Sequence, residues 1–113
     1  MAAHIKITPA SDSVTVTAGG TTLGSTDRAL ELTEGSYPTV LYIPRADIDM
    51  SKLEKTARST TCPWKGAASY YSVRTDAGVL ENAVWSYEAP IGEMAAIAGH
   101  LAFYSDKVTL TRR

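Results

Sequence analysis

Short runs in which apolar and polar residues alternate dominate the first part of the chain. Ile5 and Ile7 alternate with polar neighbours, and Val14 and Val16 do the same a few residues later. Successive side chains of a β-strand point to opposite faces, so this period of two indicates strands with one buried face. Gly19-Gly20 follows the second run and is typical of a tight hairpin turn. We therefore expect a mainly β fold.

Alternation and a high content of β-formers continue towards the C-terminus. They predict further strands over residues 29–32, 37–43, 68–73, 79–87, 101–104 and 108–110, the last two joined as a hairpin around residues 105–107. Between these strands, Ser51 and Glu54 have the spacing of a capping box. This spacing predicts one or two turns of helix, and residues 58–61 are expected to be irregular.

One longer helix is predicted over residues 91–98. Pro90 suits the first helical position, and Gly99 suits the left-handed residue that ends a helix. Glu93 would lie in the first turn, where a carboxylate interacts favourably with the helix dipole. Without any repeat or linker, residues 1–113 are expected to form a single small domain. Its architecture is predicted as a small barrel or folded sandwich, with one short helix in the C-terminal half.

The charge balance and the cysteine count exclude several classes of partner. Lys and Arg number 11 and Asp and Glu 12, so the net charge is −1 and the pI about 6.1, unlike a typical nucleic-acid-binding domain. No apolar run approaches the ~20 residues of a membrane span, and the N-terminus lacks the layout of a signal peptide. Cys62 is the only cysteine, so no internal disulfide can form. We expect a cytoplasmic protein that binds neither nucleic acid nor a membrane.

The segment from Cys62 to Gly66 places a thiol, an aromatic ring and a cation within five positions. Pro63 stiffens it, and Gly66 allows a close approach of the backbone. Lys65 could stabilise a thiolate at Cys62, which would make the thiol a nucleophile, or it could hold an anionic ligand. Cys62 could equally be a buried small apolar residue, as free cysteines often are.

His100 follows the predicted end of the helix at Gly99. Its imidazole could act as a general base for Cys62, and Glu93 is a second candidate for proton transfer. A structural role is also open, because a protonated histidine near the end of a helix interacts favourably with the dipole.

Aromatic residues are concentrated in the second half of the chain. Tyr70 and Trp85 lie on predicted strands. Trp85 shares a face with Tyr87, and Trp85 and Tyr87 are expected to line either the core or a pocket. Glu81 falls on the face of Trp85, so it must lie at an exposed edge or meet a cation such as Arg74.

Sequences that suggest metal or phosphate sites are weak. Asp47-Ile48-Asp49 has paired carboxylates, but turn and capping roles explain both. Cys62, His4 and His100 are not spaced as zinc ligands. The glycines of residues 19–26 resemble a phosphate-binding loop without its lysine. No metal and no cofactor are predicted.

The densest motifs resemble a known family. They are Tyr42-Ile43-Pro44-Arg45 with Asp47, Thr61-Cys62-Pro63-Trp64-Lys65-Gly66 with Ala68 and Tyr70, Val84-Trp85-Ser86-Tyr87, Pro90, and Ile97-Ala98-Gly99-His100 with Ala102-Phe103-Tyr104. This pattern is similar to that of domain-of-unknown-function family 427, a bacterial and fungal family. The resemblance covers nearly the whole chain, with a motif core over residues 42–104.

The resemblance implies a β-tent fold, in which two antiparallel sheets meet at an angle. The family has carried a nucleotidyltransferase-like label, but this chain lacks the separated carboxylates and the Gly-Ser motif of those enzymes. Many domains of the β-tent architecture hold zinc with two pairs of cysteines, which a chain with one cysteine cannot reproduce. Likeness of fold does not by itself imply a function.

Three hypotheses of function follow. The first is a pocket that binds a small anionic or nucleotide-like molecule, with ligand contacts from Arg45, Trp64, Lys65, Tyr70, Trp85 and Glu93. The second is an enzyme in which Cys62 is the nucleophile or redox centre and His100 handles protons. The third is a structural or interaction module that uses an exposed strand edge, as a monomer or homodimer.

Overall fold

The part of the chain that the computed structural model describes, residues 4–113, contains ten strands and three 3₁₀ helices. The strands are β1 (Ile5–Pro9), β2 (Val14–Ala18), β3 (Thr21–Thr26), β4 (Leu30–Glu34), β5 (Val40–Tyr42), β6 (Leu53–Cys62), β7 (Gly66–Thr75), β8 (Gly78–Ser86), β9 (Ala102–Phe103) and β10 (Thr109–Arg112). The 3₁₀ helices are Arg45–Asp47, Met50–Lys52 and Gly92–Ile97.

The strands form three antiparallel sheets, so the expectation of a mainly β protein is confirmed but the number of sheets is not two. The orders are β1-β4-β5, β10-β2-β3 and β6-β7-β8-β9. The expected hairpin at Gly19-Gly20 is present and joins β2 to β3. The φ angles of the two glycines are +51° and +80°. Alternation indicates where strands lie, but it carries no information about which strand each one pairs with.

The last two strands illustrate this difference. A hairpin around residues 105–107 was predicted, yet β9 pairs with β8 and β10 pairs with β2. The turn is closed by the backbone N–H groups of Lys107 and Val108, which both donate to the carbonyl of Tyr104. The chain thus leaves the sheet β6-β7-β8-β9 at this turn and enters the sheet β10-β2-β3.

Residues 53–62 form a strand, and the predicted capping box is absent. Asp49 caps the short Met50–Lys52 helix by accepting from the Ser51 N–H at 3.1 Å, while Glu54 already belongs to β6. Most of β6 is exposed, so it lacks the alternation that would have identified it.

In β8 the pairing with β7 shifts near Asn82, whose φ is +49°. Glu81, the residue before it, is exposed and has no ion pair with Arg74 among residues 4–113.

The segment predicted as a helix over 91–98 is the 3₁₀ helix Gly92–Ile97. Its hydrogen bonds span three residues, as from the Met94 N–H to the Ile91 carbonyl at 2.7 Å. A six-residue segment is too short to offset the cost of starting an α-helix, so the tighter form is favoured. Gly99 has the expected left-handed conformation, with φ of +72°.

Two clusters of buried apolar residues stabilise the fold. The larger one includes Val14, Val16 and Val73, and the smaller one includes Tyr42 and Ile97. The smaller cluster is rich in aromatic residues and lies beside the cavity described below. Within residues 4–113, no helix is long and apolar enough to cross a membrane.

Candidate functional site

A cavity of about 240 Å³ lies between the first sheet, at β4 and β5, and the third sheet, at β7 and β8. We call it the aromatic cavity. Its charged lining residues are Glu34 and Lys65. Six aromatic side chains line the rest, together with a few apolar ones: Tyr37, Tyr42, Tyr70, Trp85, Tyr87 and Tyr104.

Trp85 organises the aromatic wall. Its indole N–H donates to the hydroxyl of Tyr42 at 3.3 Å, and the two rings meet edge to face at 6.5 Å. The ring of Tyr104 lies 4.7 Å from that of Trp85 on the other side. Burial raises the pKa of Tyr42 to about 12. These contacts hold the indole in one orientation, which pre-forms the wall.

Tyr70 is tied into the same wall by polar contacts. Its hydroxyl lies 2.9 Å from the Thr60 hydroxyl, and the guanidinium of Arg58 lies over its ring at 4.9 Å. Burial alone would raise the pKa of Tyr70, but its hydrogen bonds with Thr60 and Tyr104 outweigh that effect and lower the pKa. Tyr70 therefore presents a polar group at the edge of the aromatic cavity.

Lys65 is a cation held almost out of solvent, since only 10% of its side chain is exposed. Its Nζ donates to Glu34 Oε1 at 2.8 Å and lies 3.7 Å from the Cys62 sulfur. It also lies 5.8 Å from the centre of the Tyr87 ring. An isolated buried ammonium would be costly, so the carboxylate of Glu34 is what allows a charged lysine here.

The turn between β6 and β7 positions this lysine. Cys62 pairs with Gly66 across the turn, and Gly66 has a φ of +107°, which side chains strongly disfavour. The Lys65 carbonyl accepts from the Ile91 N–H at 3.0 Å, which fixes the turn against the segment before the last 3₁₀ helix. The short motif thus directs one cation into the aromatic cavity.

Trp64 does not line the aromatic cavity. It is 41% exposed and packs edge to face against His4, with ring centres 4.9 Å apart. His4 in turn places its Nε2 3.7 Å from Glu34. Trp64 therefore lies behind the ion pair, outside the wall that sequence reasoning assigned to it.

Arg45 lies outside the cavity as well. Its guanidinium donates to four partners on separate segments: the carbonyl of Gly99 at 3.1 Å, the hydroxyls of Tyr71 at 3.3 Å and Ser86 at 3.4 Å, and the carboxylate of Glu88 at 3.0 Å. With its donors used in this way, Arg45 connects the 3₁₀ helix Arg45–Asp47 to the third sheet.

Glu88 is the centre of this second polar cluster. Lys55 Nζ lies 2.8 Å from its carboxylate, and the hydroxyl of Tyr71 donates to it. Burial alone would raise the pKa of Glu88, but the hydrogen bonds from Lys55 and Tyr71 lower it to about 2. The cluster links neighbouring strands, and one of its cations is Arg45, which the sequence analysis proposed as a ligand contact.

His100 and Glu93 are not brought to Cys62. The His100 ring lies 3.3 Å from the carbonyl of Ala98, a local contact, and no hydrogen bond links it to Cys62 in residues 4–113. Glu93 is exposed on the 3₁₀ helix Gly92–Ile97 and has no ion pair in the same range. The general base that a cysteine nucleophile needs is therefore not supplied by either residue in this conformation.

The paired aspartates have local partners. Asp47 accepts from the Thr26 hydroxyl at 2.7 Å and from Arg28 at 3.2 Å, and the first of these bonds is the main cause of its lowered pKa. Asp49 accepts from Ser51, which likewise lowers its pKa. Across the described part of the chain, no three His, Cys, Asp or Glu side chains form a group that could hold a metal ion.

Sequence reasoning missed Glu34 and Tyr42 as lining residues. Glu34 continues the alternating face of Leu30 and Leu32 on β4. A carboxylate on an otherwise apolar strand face is the signal that could have pointed to a buried cation. Its partner, Lys65, lies 31 positions away, and no local pattern links the two.

The fold and the site define a small, mainly β protein with an aromatic cavity and a buried ion pair at its wall. A family model described as Domain of unknown function (DUF427) matches residues 6–113. The chain therefore belongs to this family, as its motifs predicted. No curated protein matches the chain in a sequence search.

Proposed function

We propose that this protein binds a small anionic or nucleotide-like molecule in the aromatic cavity. The observation that carries the proposal is the ammonium of Lys65, nearly excluded from solvent at the wall of a cavity lined by six aromatic side chains. Concave sites with aromatic walls and a few convergent polar groups are the usual form of ligand sites.

The contacts of Lys65 leave room for an anion. An ammonium group has three N–H donors. Glu34 takes one at 2.8 Å, the Cys62 sulfur lies near a second at 3.7 Å, and the third has no hydrogen-bond partner within residues 4–113. A carboxylate or phosphate in the cavity would accept from it, and planar groups would stack on the tyrosine and tryptophan rings.

The test uses Trp85 as a reporter in a Trp64→Phe background, because Trp85 is then the only tryptophan. Benzoate is compared with benzamide, and AMP with adenosine, by quenching of indole fluorescence. We expect each anion to bind at least about 10-fold more tightly than its neutral partner, a difference of about 1.4 kcal/mol. Lys65→Met should remove this preference.

The matched control is Lys55→Met, which removes a lysine that is also ion-paired but lies outside the aromatic cavity. It should leave anion binding unchanged. Equal effects of the two lysine substitutions, or no preference for either anion, would refute the proposal.

A second candidate function is thiol chemistry at Cys62, which is supported by one contact. Lys65 Nζ lies 3.7 Å from the half-buried sulfur, and a cation beside the sulfur is a common feature of reactive cysteines. We expect iodoacetamide to alkylate Cys62 several-fold faster near neutral pH in the native protein than in Lys65→Met. The control is the rate in urea, where both proteins should react alike. A native rate that does not depend on Lys65 would contradict this candidate.

A further inference from the structure

A second cavity of about 290 Å³ adjoins the aromatic cavity. The two share Pro38, Val40, Trp85 and Tyr104 as lining residues. Beyond these, the second cavity is lined mainly by apolar side chains, among them Leu41, Phe103 and Leu110. Neither charged residue of the aromatic cavity reaches it. We call it the apolar trough.

The trough exists because two sheets separate at this point. Ile43 and Leu101 form a bridge in which each N–H donates to the other carbonyl at 2.8 Å. Beyond it β5 pairs with β4 and β9 pairs with β8, and no further backbone hydrogen bond joins β5 to β9 in the described residues. The side chains of Leu41 and Phe103 line the resulting gap.

We propose that the ligand is a monocarboxylate with an apolar chain, whose carboxylate meets Lys65 and whose chain passes Trp85 and Tyr104 into the apolar trough. The inference rests on the proposed function of the aromatic cavity and names the class of ligand. It follows from the position of the polar groups: Lys65, paired with Glu34 but with one N–H donor that has no partner in residues 4–113, lines one cavity, and the adjoining cavity offers apolar surface.

Size supports this class of ligand. Sites for small molecules commonly have volumes of about 300–1,000 Å³. The aromatic cavity at about 240 Å³ and the trough at about 290 Å³ each fall below that range, whereas a ligand spanning both would occupy a site within it. A short anion would leave the trough empty and its apolar walls exposed to water.

The experiment measures binding of butyrate, hexanoate, octanoate and octanol to the Trp64→Phe protein by Trp85 fluorescence, with each ligand below its aggregation concentration. Each added methylene should tighten binding of the acid about 2- to 4-fold as it leaves water. Octanoate should therefore bind at least about 10-fold more tightly than butyrate, and octanol more weakly than octanoate.

Leu110→Asn tests the trough and Lys65→Met tests the cation. Leu110 lines the trough alone, so Leu110→Asn should weaken octanoate and leave benzoate unchanged. Leu41→Asn is a second variant of the same kind, in case the first perturbs β10. Lys65→Met should weaken octanoate and benzoate together.

The outcomes separate this inference from the proposed function. If benzoate binding depends on Lys65 but octanoate is no tighter than butyrate, the trough does not take a chain and the inference is wrong while the proposed function stands. If octanol binds as tightly as octanoate, or if Lys65→Met leaves the affinity for octanoate unchanged, the carboxylate is not recognised and the inference is also wrong. If neither benzoate nor AMP depends on Lys65, both fail.

Discussion

Gly24 is the residue at which a strand and a loop approach most closely. It forms a bridge with Ile48, and a Cβ atom placed on it would lie 2.0 Å from the backbone oxygen of Asp47. Among the glycines of residues 19–26, which resemble a phosphate loop, this one is required by contact between two backbones inside β3. No rotation of a side chain could relieve such an overlap.

We predict that Gly24→Ala lowers the free energy of unfolding by about 2 kcal/mol or more, because the backbone of β3 or of the loop must move. Urea unfolding measures the change. Gly92→Ala is the matched control, since a Cβ there has no atom within 4 Å and its φ is not in the left-handed region. That control should be neutral or slightly stabilising. Equal losses in both variants would contradict the steric explanation.

At the same scale, two cations proposed from sequence have different positions. Lys65 could be identified from sequence because proline and glycine restrict the turn that contains it. In the structure its side chain lines the aromatic cavity. Arg45 was grouped with it because both belong to the motif core. Its four hydrogen-bond partners come from positions 71–99, so only the assembled fold shows that its donors are used.

At the scale of the elements, Glu88 fixes the segment after β8 through ion pairs with Arg45 and Lys55. Glu88 connects Lys55 on β6, Tyr71 on β7 and Arg45 on the first 3₁₀ helix. Its pKa is lowered from 4.5 to about 2, since the hydrogen bonds from Lys55 and Tyr71 outweigh the opposing effect of burial. A carboxyl with a lowered pKa stabilises the folded state above its unfolded pKa, and this contribution disappears as the pH falls through the folded value.

We predict that the advantage of the native protein over Glu88→Gln is full above about pH 5 and is lost between about pH 4.5 and pH 2. After allowance for solvent screening of a carboxylate that is about one-third exposed, the advantage should be on the order of 1–2 kcal/mol. Urea unfolding at several pH values measures it. Glu93→Gln, which alters an exposed carboxylate, should follow the native curve. A pH-independent difference between the native protein and Glu88→Gln would contradict the prediction.

The elements differ in how well local sequence predicts them. Strands β1, β2 and β4 were identified because apolar and polar residues alternate in each, and β2 buries one whole face while β1 and β4 bury Ile5 and Leu32. Strand β6 was not identified, because most of its residues are exposed and it is a strand through its pairing with β7. The segment at 91–98 was recognised as helical, but its tighter hydrogen bonding depends on its short length and its contacts with neighbours.

At the scale of the whole molecule, the sheets leave the aromatic cavity between β4, β5, β7 and β8, and the apolar trough where β5 and β9 separate. In the aromatic cavity, Lys65, Tyr70 and Trp85 meet with Glu34, Tyr42 and Tyr87. These residues lie on β4, β5, the turn between β6 and β7, β7, β8 and the segment after β8. Trp64, Glu93 and His100 lie elsewhere. Convergence of this kind depends on sheet pairing, and a motif reports only residues that are close in sequence.

By itself, the sequence determined the mainly β character, the restricted turn that carries Lys65, and membership of the DUF427 family. These features follow from alternation, from the conformational limits of proline and glycine, and from motifs, all of which act over a few neighbouring residues. Only the tertiary structure decided that there are three sheets, that Lys65 pairs with Glu34, and that Arg45 pairs with Glu88 in a structural role. Each of these depends on contacts between distant segments, whose free energy is gained only when the whole chain has folded.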